Sequence, residues 1–389
     1  MYKILTLNAI SPIYHDYLSD SDYEVSSSME NPDAIIVRSA DMHNMEAPAS
    51  LVAVARAGAG YNNIPVDKLA QKGVVVFNTP GANANAVKEL AVAGLLLGSR
   101  DIAGGIQWVE GIKDQGDQVP ALVEKGKKQF SGPELKGKTL GVVGLGAVGA
   151  LVANAGRAMD MEVVGYDPYI SVDHAWMLSR SIGRVKNLLE LLQKSDYVSV
   201  HVPLMKETRG MFNEEVFARM KPGATLLNLS RGELVANQDV LEALEQGKLR
   251  RYVTDFPCAE LIGRKGVICI PHLGASTPES EDNCVVMASR QIDAYLRTGS
   301  IRNSVNYPNC ELGAPEKHRI AVLHQNVPNV VTALTGILSQ YHINISAMVN
   351  KSRGEYAYTV LDLDDTFAHK LEIVEQMSAL DTVYGVRSW

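Results

Sequence analysis

The segment TLGVVGLGAVG, residues 139–149, constrains this chain more than any other stretch. A β-rich apolar run ends in Gly144-Leu145-Gly146-Ala147-Val148-Gly149, and an apolar helical pattern follows at once. The first glycine permits a tight turn, the second lets backbone approach a pyrophosphate, and the third lets the helix pack closely on the strand. The helix N-terminus then favours the phosphate charge. The next apolar run, EVVGY, ends in Asp167, at the spacing where an acid meets ribose hydroxyls. Together these features predict a dinucleotide site contacted by Gly144, Gly146, Ala147, Val148, Gly149 and Asp167. Asp167 repels a 2′-phosphate, and Pro168-Tyr169-Ile170 brings no arginine to receive one, so NAD is expected over NADP.

The glycine turn sits inside a longer alternation. From Lys138 the runs TLGVV, EVVGY, YVSVH, TLLNL, RYVTD and VICI are separated by helical patterns, which predicts six parallel strands in a doubly wound sheet. Upstream, YKILTL (2–7), AIIV (34–37), LVAVA (51–55) and VVVF (74–77) predict a second parallel sheet, followed by a long helix from about Val87 to Ile106. Ser276-Thr277-Pro278-Glu279 reads as a helix start, with that helix reaching about Thr298. Residues 299–315 are rich in Gly, Ser, Asn and Pro and read as a linker. Beyond them the pattern is strand, helix, strand, strand, helix (367–380), strand, a small βαββαβ module that reads as separate from the rest.

The expected fold is therefore α/β: two Rossmann-like or flavodoxin-like parallel-sheet domains with a cleft between them, plus a ferredoxin-like module. The expected boundaries are 1–90 with 285–312 for an outer domain, 91–284 for the nucleotide domain, and 318–389 for the module.

Composition narrows the function. The 389 residues are 46% hydrophobic and 21% charged with a formal net charge of -7, a balance that fits a soluble globular protein and disfavours nucleic acid or a membrane as partner. The start MYKILTLNAI lacks a signal-peptide pattern, and the apolar stretch around Leu90 to Leu97 is too short to span a bilayer. Cys258, Cys269, Cys284 and Cys310 have no metal-like spacing, so reduced thiols, no metal and a cytoplasmic location are expected. Lys125, Lys127 and Lys128 read as a solvated charge run.

Ligands of open parallel sheets sit beyond the carboxyl ends of the strands. In the second block those ends carry Gly144, Asp167, His201-Val202-Pro203, Ser230-Arg231-Gly232, Asp255 with Glu260 beyond it, and His272. The first block brings Arg38-Ser39, Arg56-Ala57-Gly58-Ala59-Gly60 and Asn78. Oxidation of a small hydroxy acid needs an arginine for the carboxylate, a base for the hydroxyl proton, and a carboxylate to orient that base. Arg231, His272 and Glu260 are residues of those types.

RAGAGYNNI (56–64), NTPGANANAVKEL (78–90), GLGAVG, HVPLMKETRGMFN (201–213), LNLSRGELV (227–235), DFPCAE (255–260) and PHLGAST (271–277) resemble, in this order, the D-2-hydroxyacid dehydrogenases. The resemblance implies Arg231, Glu260 and His272 as the catalytic set. It also implies cofactor contacts at Val202, Pro203, Ser230, Arg231, Asp255, His272 and Gly274, and substrate contacts at Arg38, Ser39, Gly58, Ala59, Gly60 and Asn83. Ala147 replaces an arginine and Leu261 a proline of the family pattern, and the valine of the family's DVF segment is missing from Asp255-Phe256. The implied activity is NAD-dependent oxidation of 3-phospho-D-glycerate to 3-phosphohydroxypyruvate, opening L-serine biosynthesis. The alternatives are a reductase for hydroxypyruvate or glyoxylate, and an NAD-sensing binding protein. The last module resembles an ACT domain, which implies a regulatory site for L-serine at His324, Asn326 and Asn344, with Asn329 standing where glycine is usual. A homo-oligomer, dimer or tetramer, is implied as well.

Overall fold

The computed structural model describes all residues except 312, 316 and 365–368, and the described residues form three sheets. The chain divides into two compact units, Met1–Ala82 with Glu281–Trp389, and Asn83–Ser280.

In the first unit, β1 (Tyr2–Leu7), β2 (Tyr23–Ser26), β3 (Ala34–Val37), β4 (Ala53–Arg56) and β5 (Val75–Phe77) form a parallel sheet in the order β2-β1-β3-β4-β5. β3 is buried along its whole length, as its unbroken apolar run requires of a central parallel strand. The edge strand β2 was not expected, because YEVS is too short and too polar to stand out. The helix Pro278–Thr298 buries Ala288, Ile292, Tyr295 and Leu296 against Ile4, Ile36 and Phe77, and Thr277 caps its start by accepting from the Ser280 N–H at 3.1 Å.

The second unit holds β6 (Thr139–Val143), β7 (Glu162–Tyr166), β8 (Gly183–Arg184), β9 (Tyr197–Val200), β10 (Ala224–Asn228), β11 (Leu249–Thr254) and β12 (Val267–Cys269). Their order is β12-β11-β10-β9-β6-β7-β8, parallel throughout. Six strands were expected; the seventh, β8, is two exposed residues whose pairing leaves no periodic signal. The strand order reverses between β6 and β9, and such switch points are where open sheets bind ligands.

The long helix expected over 87–106 is two helices, Ala84–Ser99 and Ile102–Gly111. Arg100 turns extended, and Asp101 caps the second helix by accepting from the Gly104 N–H. Ala91 and Leu95 of the first helix pack with Leu140, Val152, Leu227 and Val253. A β-carbon on Gly98 would stand 2.8 Å from Thr225 Cγ2, so this close approach needs glycine. That packing draws the division of the chain to Ala82/Asn83 rather than to 90/91, and the burial of the Pro278–Thr298 helix draws the other cut to Ser280/Glu281.

The βαββαβ module is β13 (His318–Gln325), the helix Val330–Gln340, β14 (Ile345–Arg353), β15 (Tyr356–Leu363), the helix Lys370–Ser378 and β16 (Val383–Ser388). Residues 367–368 of the expected second helix lie outside the described residues. The sheet is antiparallel in the order β14-β15-β13-β16. Period-two alternation gives it two apolar faces. Ile320, Val322, Leu361 and Leu363 meet the module's helices, while Ala321, Leu323, Tyr358 and Val360 join the core of the first unit with Ile292, Tyr295 and Tyr307.

The module is thus not separate from the outer sheet's unit. Buried Arg319 donates to both carboxylate oxygens of Asp362, at 2.5 and 2.8 Å, and to the Thr298 carbonyl at 2.7 Å. The expected linker is a packed connection in which Ile301, Tyr307 and Cys310 are buried and the Asn306 side chain bonds the backbone of Val74 and Val76. Among the described residues no helix is long and apolar enough to cross a membrane.

Candidate functional site

The glycine turn is shaped by contacts no other residue would allow. Gly144 has φ +87°, and a β-carbon there would lie 2.5 Å from the His201 carbonyl oxygen, at the switch between β6 and β9. A β-carbon on Gly149 would lie 1.9 Å from the Gly144 carbonyl oxygen. Around Gly146, by contrast, nothing stands within 4 Å of the β-carbon position, so its backbone is open to a ligand. Gly146 precedes the 12-residue helix Ala147–Ala158, whose first N–H groups favour a phosphate. Asp167 braces the turn: one carboxylate oxygen accepts from the Leu145 N–H at 2.9 Å and the other from the Tyr169 N–H at 2.8 Å. These residues fit a dinucleotide.

The neighbouring strand ends are held by buried polar side chains. Ser230 Oγ donates to the Val200 carbonyl at 2.7 Å, and buried Asn228 donates to the Arg231 carbonyl at 2.8 Å. The Arg231 side chain is exposed and donates to the Ser230 carbonyl at 2.6 Å. His201 Nε2 lies 2.8 Å from Ser199 Oγ, and desolvation pulls its pKa down to about 4, so its imidazole is neutral at pH 7. Val202 packs on the apolar core beneath, and the Pro203 carbonyl accepts from Thr208 Oγ1 at 2.7 Å.

Asp255 is the unusual group. It is only 1% exposed, and neither carboxylate oxygen has a hydrogen-bond partner among the described residues. Burial raises its pKa, and the charges of His272 and Arg231 act against that rise. A β-carbon on Gly274 would stand 3.6 Å from Asp255 Oδ2 and 3.2 Å from Val87 Cγ2, so glycine leaves the carboxylate its space. An orphaned buried carboxylate at a sheet edge is a place for a ligand's donor.

His272 packs its ring on Phe256, with centroids 4.7 Å apart. The expected pairing of His272 with Glu260 is not formed in this conformation. Glu260 is exposed and accepts from Asn237 Nδ2 at 3.0 Å, and no ion pair joins it to His272. The physical reason is local: Asn237 opens the helix Asn237–Glu245, and its amide also reaches Cys258 Sγ at 3.3 Å, gathering the 258–260 turn to itself. Leu261 is buried in the core, which anchors this turn by an apolar side chain.

The first unit has its own polar edge. Arg38 pairs with Glu281 at 2.7 Å, and Arg56 Nε donates to the Arg38 carbonyl at 3.0 Å. Burial lowers the pKa of half-buried Arg56, and the Arg38 charge adds to that effect. Gly58 has φ +149°, and a β-carbon there would fall 1.6 Å from Arg56 Nη1, so the glycine makes room for the guanidinium. Arg56 was absent from the expected substrate contacts; its signal was its own place at the end of β4. The Ala59 carbonyl accepts from Asn78 Nδ2 at 2.7 Å, Gly60 follows, and the Ser39 N–H donates to Asn8 Oδ1 at 3.2 Å. Asn83 belongs to the other unit, where its carbonyl accepts from the Val87 N–H at 3.2 Å.

In the module, His324 is buried, with Nδ1 2.7 Å from the Gln325 carbonyl and Nε2 2.8 Å from Thr359 Oγ1. Asn326 Nδ2 donates to the Gly354 carbonyl at 3.0 Å, at the β14–β15 hairpin. Asn344 donates to Asp364, at the other end of that strand pair. At ~3.3 Å per residue the length of β14 separates them, so one copy of the chain does not bring Asn326 and Asn344 together. Asn329, where glycine is usual, adopts φ +71°, a conformation that asparagine tolerates. Among the described residues no group of three or more His, Cys, Asp or Glu side chains is gathered to hold a metal ion.

Residues 98–274 match the model of the D-isomer specific 2-hydroxyacid dehydrogenase NAD-binding domain. The D-3-phosphoglycerate dehydrogenase of Methanocaldococcus jannaschii is 34% identical over 298 residues, 74% of this chain and 54% of that protein. A Schizosaccharomyces pombe protein, provisionally named a D-3-phosphoglycerate dehydrogenase, is 30% identical over 96% of this chain and 85% of its own length. Among solved structures, the NAD+-bound 3-phosphoglycerate dehydrogenase of Entamoeba histolytica superposes with a TM-score of 0.60 at 26% identity, covering 78% of this chain and 98% of that one. The chain spans 52% to 60% of the length of the archaeal and bacterial relatives it matches. With a nucleotide turn that fits NAD and a relative matched nearly end to end, the chain belongs to the D-isomer specific 2-hydroxyacid dehydrogenase family.

Proposed function

We propose that this protein oxidises 3-phospho-D-glycerate to 3-phosphohydroxypyruvate with NAD. The observation that carries a dehydrogenase is Asp255, a buried carboxylate without a hydrogen-bond partner among the described residues, on which the charges of His272 and Arg231 act. The names of the relatives support the phosphorylated substrate, as do Arg38 and Arg56, two arginines on the first unit's sheet edge to which, among the described residues, only Glu281 is paired.

When bound, NAD supplies the acceptor for the hydride that leaves C2. His272 takes the hydroxyl proton as the carbonyl forms, and Arg231 holds the substrate carboxylate. The positive charge that His272 gains favours the ionised form of Asp255, while exposed Glu260 joins the base only by leaving Asn237. The open backbone at Gly146 and the brace at Asp167 hold the cofactor's pyrophosphate and ribose. Regulation by L-serine through His324, Asn326 and Asn344 is part of the same proposal, and it calls for two copies of the chain, since these groups do not converge in one.

A substrate panel followed by NADH absorbance tests the reading. Reduction of 3-phosphohydroxypyruvate is expected to exceed that of hydroxypyruvate and glyoxylate in kcat/KM. Preference for an unphosphorylated acid would reject the substrate, and NADH binding without turnover on any of them would reject the enzyme.

A further inference from the structure

We propose that the first unit carries a second ligand site, a polar cavity that binds a small oxyanion, carboxylate or phosphate, where the β14–β15 hairpin meets the 303–309 segment. The cavity measures about 510 Å³, and Tyr61, Asn78, Asn303, Asn309, Ser352 and Arg353 line it. That volume is within the range of small-molecule sites.

Its chemistry is that of donors. Arg353 gives one guanidinium nitrogen, Nη1, to the Ser304 carbonyl and pairs with no carboxylate among the described residues. Its other N–H groups keep the fork geometry that matches a carboxylate or phosphate. Asn309 accepts the Asn303 N–H on Oδ1 at 2.9 Å, which commits its oxygen and leaves its amide N–H groups to donate. The side chains of Tyr61, Asn303 and Ser352 add further donors, and no acidic side chain lines the cavity. A positive charge amid amides and hydroxyls selects an anion.

The walls are held in place before any ligand arrives. Ile301 pairs with Cys310, the Val305 N–H donates to the Val76 carbonyl at 2.8 Å, and Arg353 stands in register with Tyr356 across the hairpin. A preformed site loses little affinity to ordering. The cavity also borders the loop expected to bind substrate, because Asn78 Nδ2 holds the Ala59 carbonyl and Tyr61 follows Gly60. An occupant therefore ties the βαββαβ module to that loop; this consequence rests on the proposed function, whereas binding does not.

The test uses the full chain, with inorganic phosphate and malonate as probes and backbone hydrogen exchange as readout. Either probe is expected to slow exchange in residues 301–310 and 351–357. Asn309→Asp keeps the acceptor for Asn303 but sets a carboxylate in the cavity, and it is expected to weaken binding by at least about tenfold. Arg353→Gln is expected to do the same, and Arg353→Lys, which keeps the charge but loses the fork, to weaken binding less than Arg353→Gln does. Whichever probe binds tighter assigns the class. No slowing with either probe, or unchanged slowing in Asn309→Asp, overturns the site. Neither failure touches the dehydrogenase reading, which the substrate panel tests with other residues.

Discussion

A β-carbon on Gly149 would stand 1.9 Å from the carbonyl oxygen of Gly144, so the helix that follows the nucleotide turn rests directly on the backbone of that turn. Gly149→Ala must push the helix off the strand. We expect a loss of stability of about 2 kcal/mol and loss of NADH binding, read by thermal unfolding and by quenching or transfer of protein fluorescence to NADH. Unchanged affinity with a native unfolding temperature would show that the contact yields at little cost.

His272→Gln removes the proton acceptor while keeping a polar side chain against Phe256. Turnover is expected to fall by about 10²- to 10⁴-fold, the usual worth of a general base, with NADH affinity preserved. Near-normal kcat in this variant would remove His272 from the proposed chemistry.

Asp255 bears on both stability and activity. Its folded pKa is raised by burial, so the protein gives up stability when the group ionises as pH climbs through that pKa. Below the ordinary carboxylate range the group is protonated in both folded and unfolded chains, and nothing is lost. Asp255→Asn should therefore raise the unfolding temperature of the ligand-free protein at pH 7, with the gain shrinking in acid. Turnover should drop in the same variant. A variant less stable than the parent at pH 7 would mean that the ionised carboxylate is already compensated.

His201 works in the opposite direction. Its pKa is depressed to about 4, so the folded state binds its proton less readily than the unfolded one. Stability from this group is complete above the unfolded value near 6.5 and falls as pH descends toward 4, by up to about 3 kcal/mol. His201→Gln should flatten the acid limb of a urea-unfolding series between pH 7 and pH 4. An unchanged limb would place the acid sensitivity elsewhere.

Local signals made much of this protein legible. The apolar runs of β1, β3, β4, β5, β6, β7, β9, β10, β11 and β12, and the alternating strands of the small module, announce themselves because burial on one or both faces of a sheet leaves a period in the chain. The glycines of 144–149 and Asp167 were readable for a similar reason, since a turn that must admit backbone and phosphate allows few residues. Short edges were not: β2 and β8 bury too little to leave a pattern.

Tertiary structure alone decided which partners those residues meet. Sequence order placed Glu260 and His272 at neighbouring strand ends, but Asn237 captures Glu260, and Asp255 is the carboxylate on which the charge of His272 acts. Arg56 became a half-buried second cation only because Gly58 folds over it, and Asn326 and Asn344 parted because β14 runs its length between them. The module looked like a tethered appendage, yet its free sheet face closes the core of the first unit. Strand identity is set by the burial pattern of a few adjacent residues, whereas these pairings depend on how loops from distant segments share the space left at the sheet edges, which no local pattern encodes.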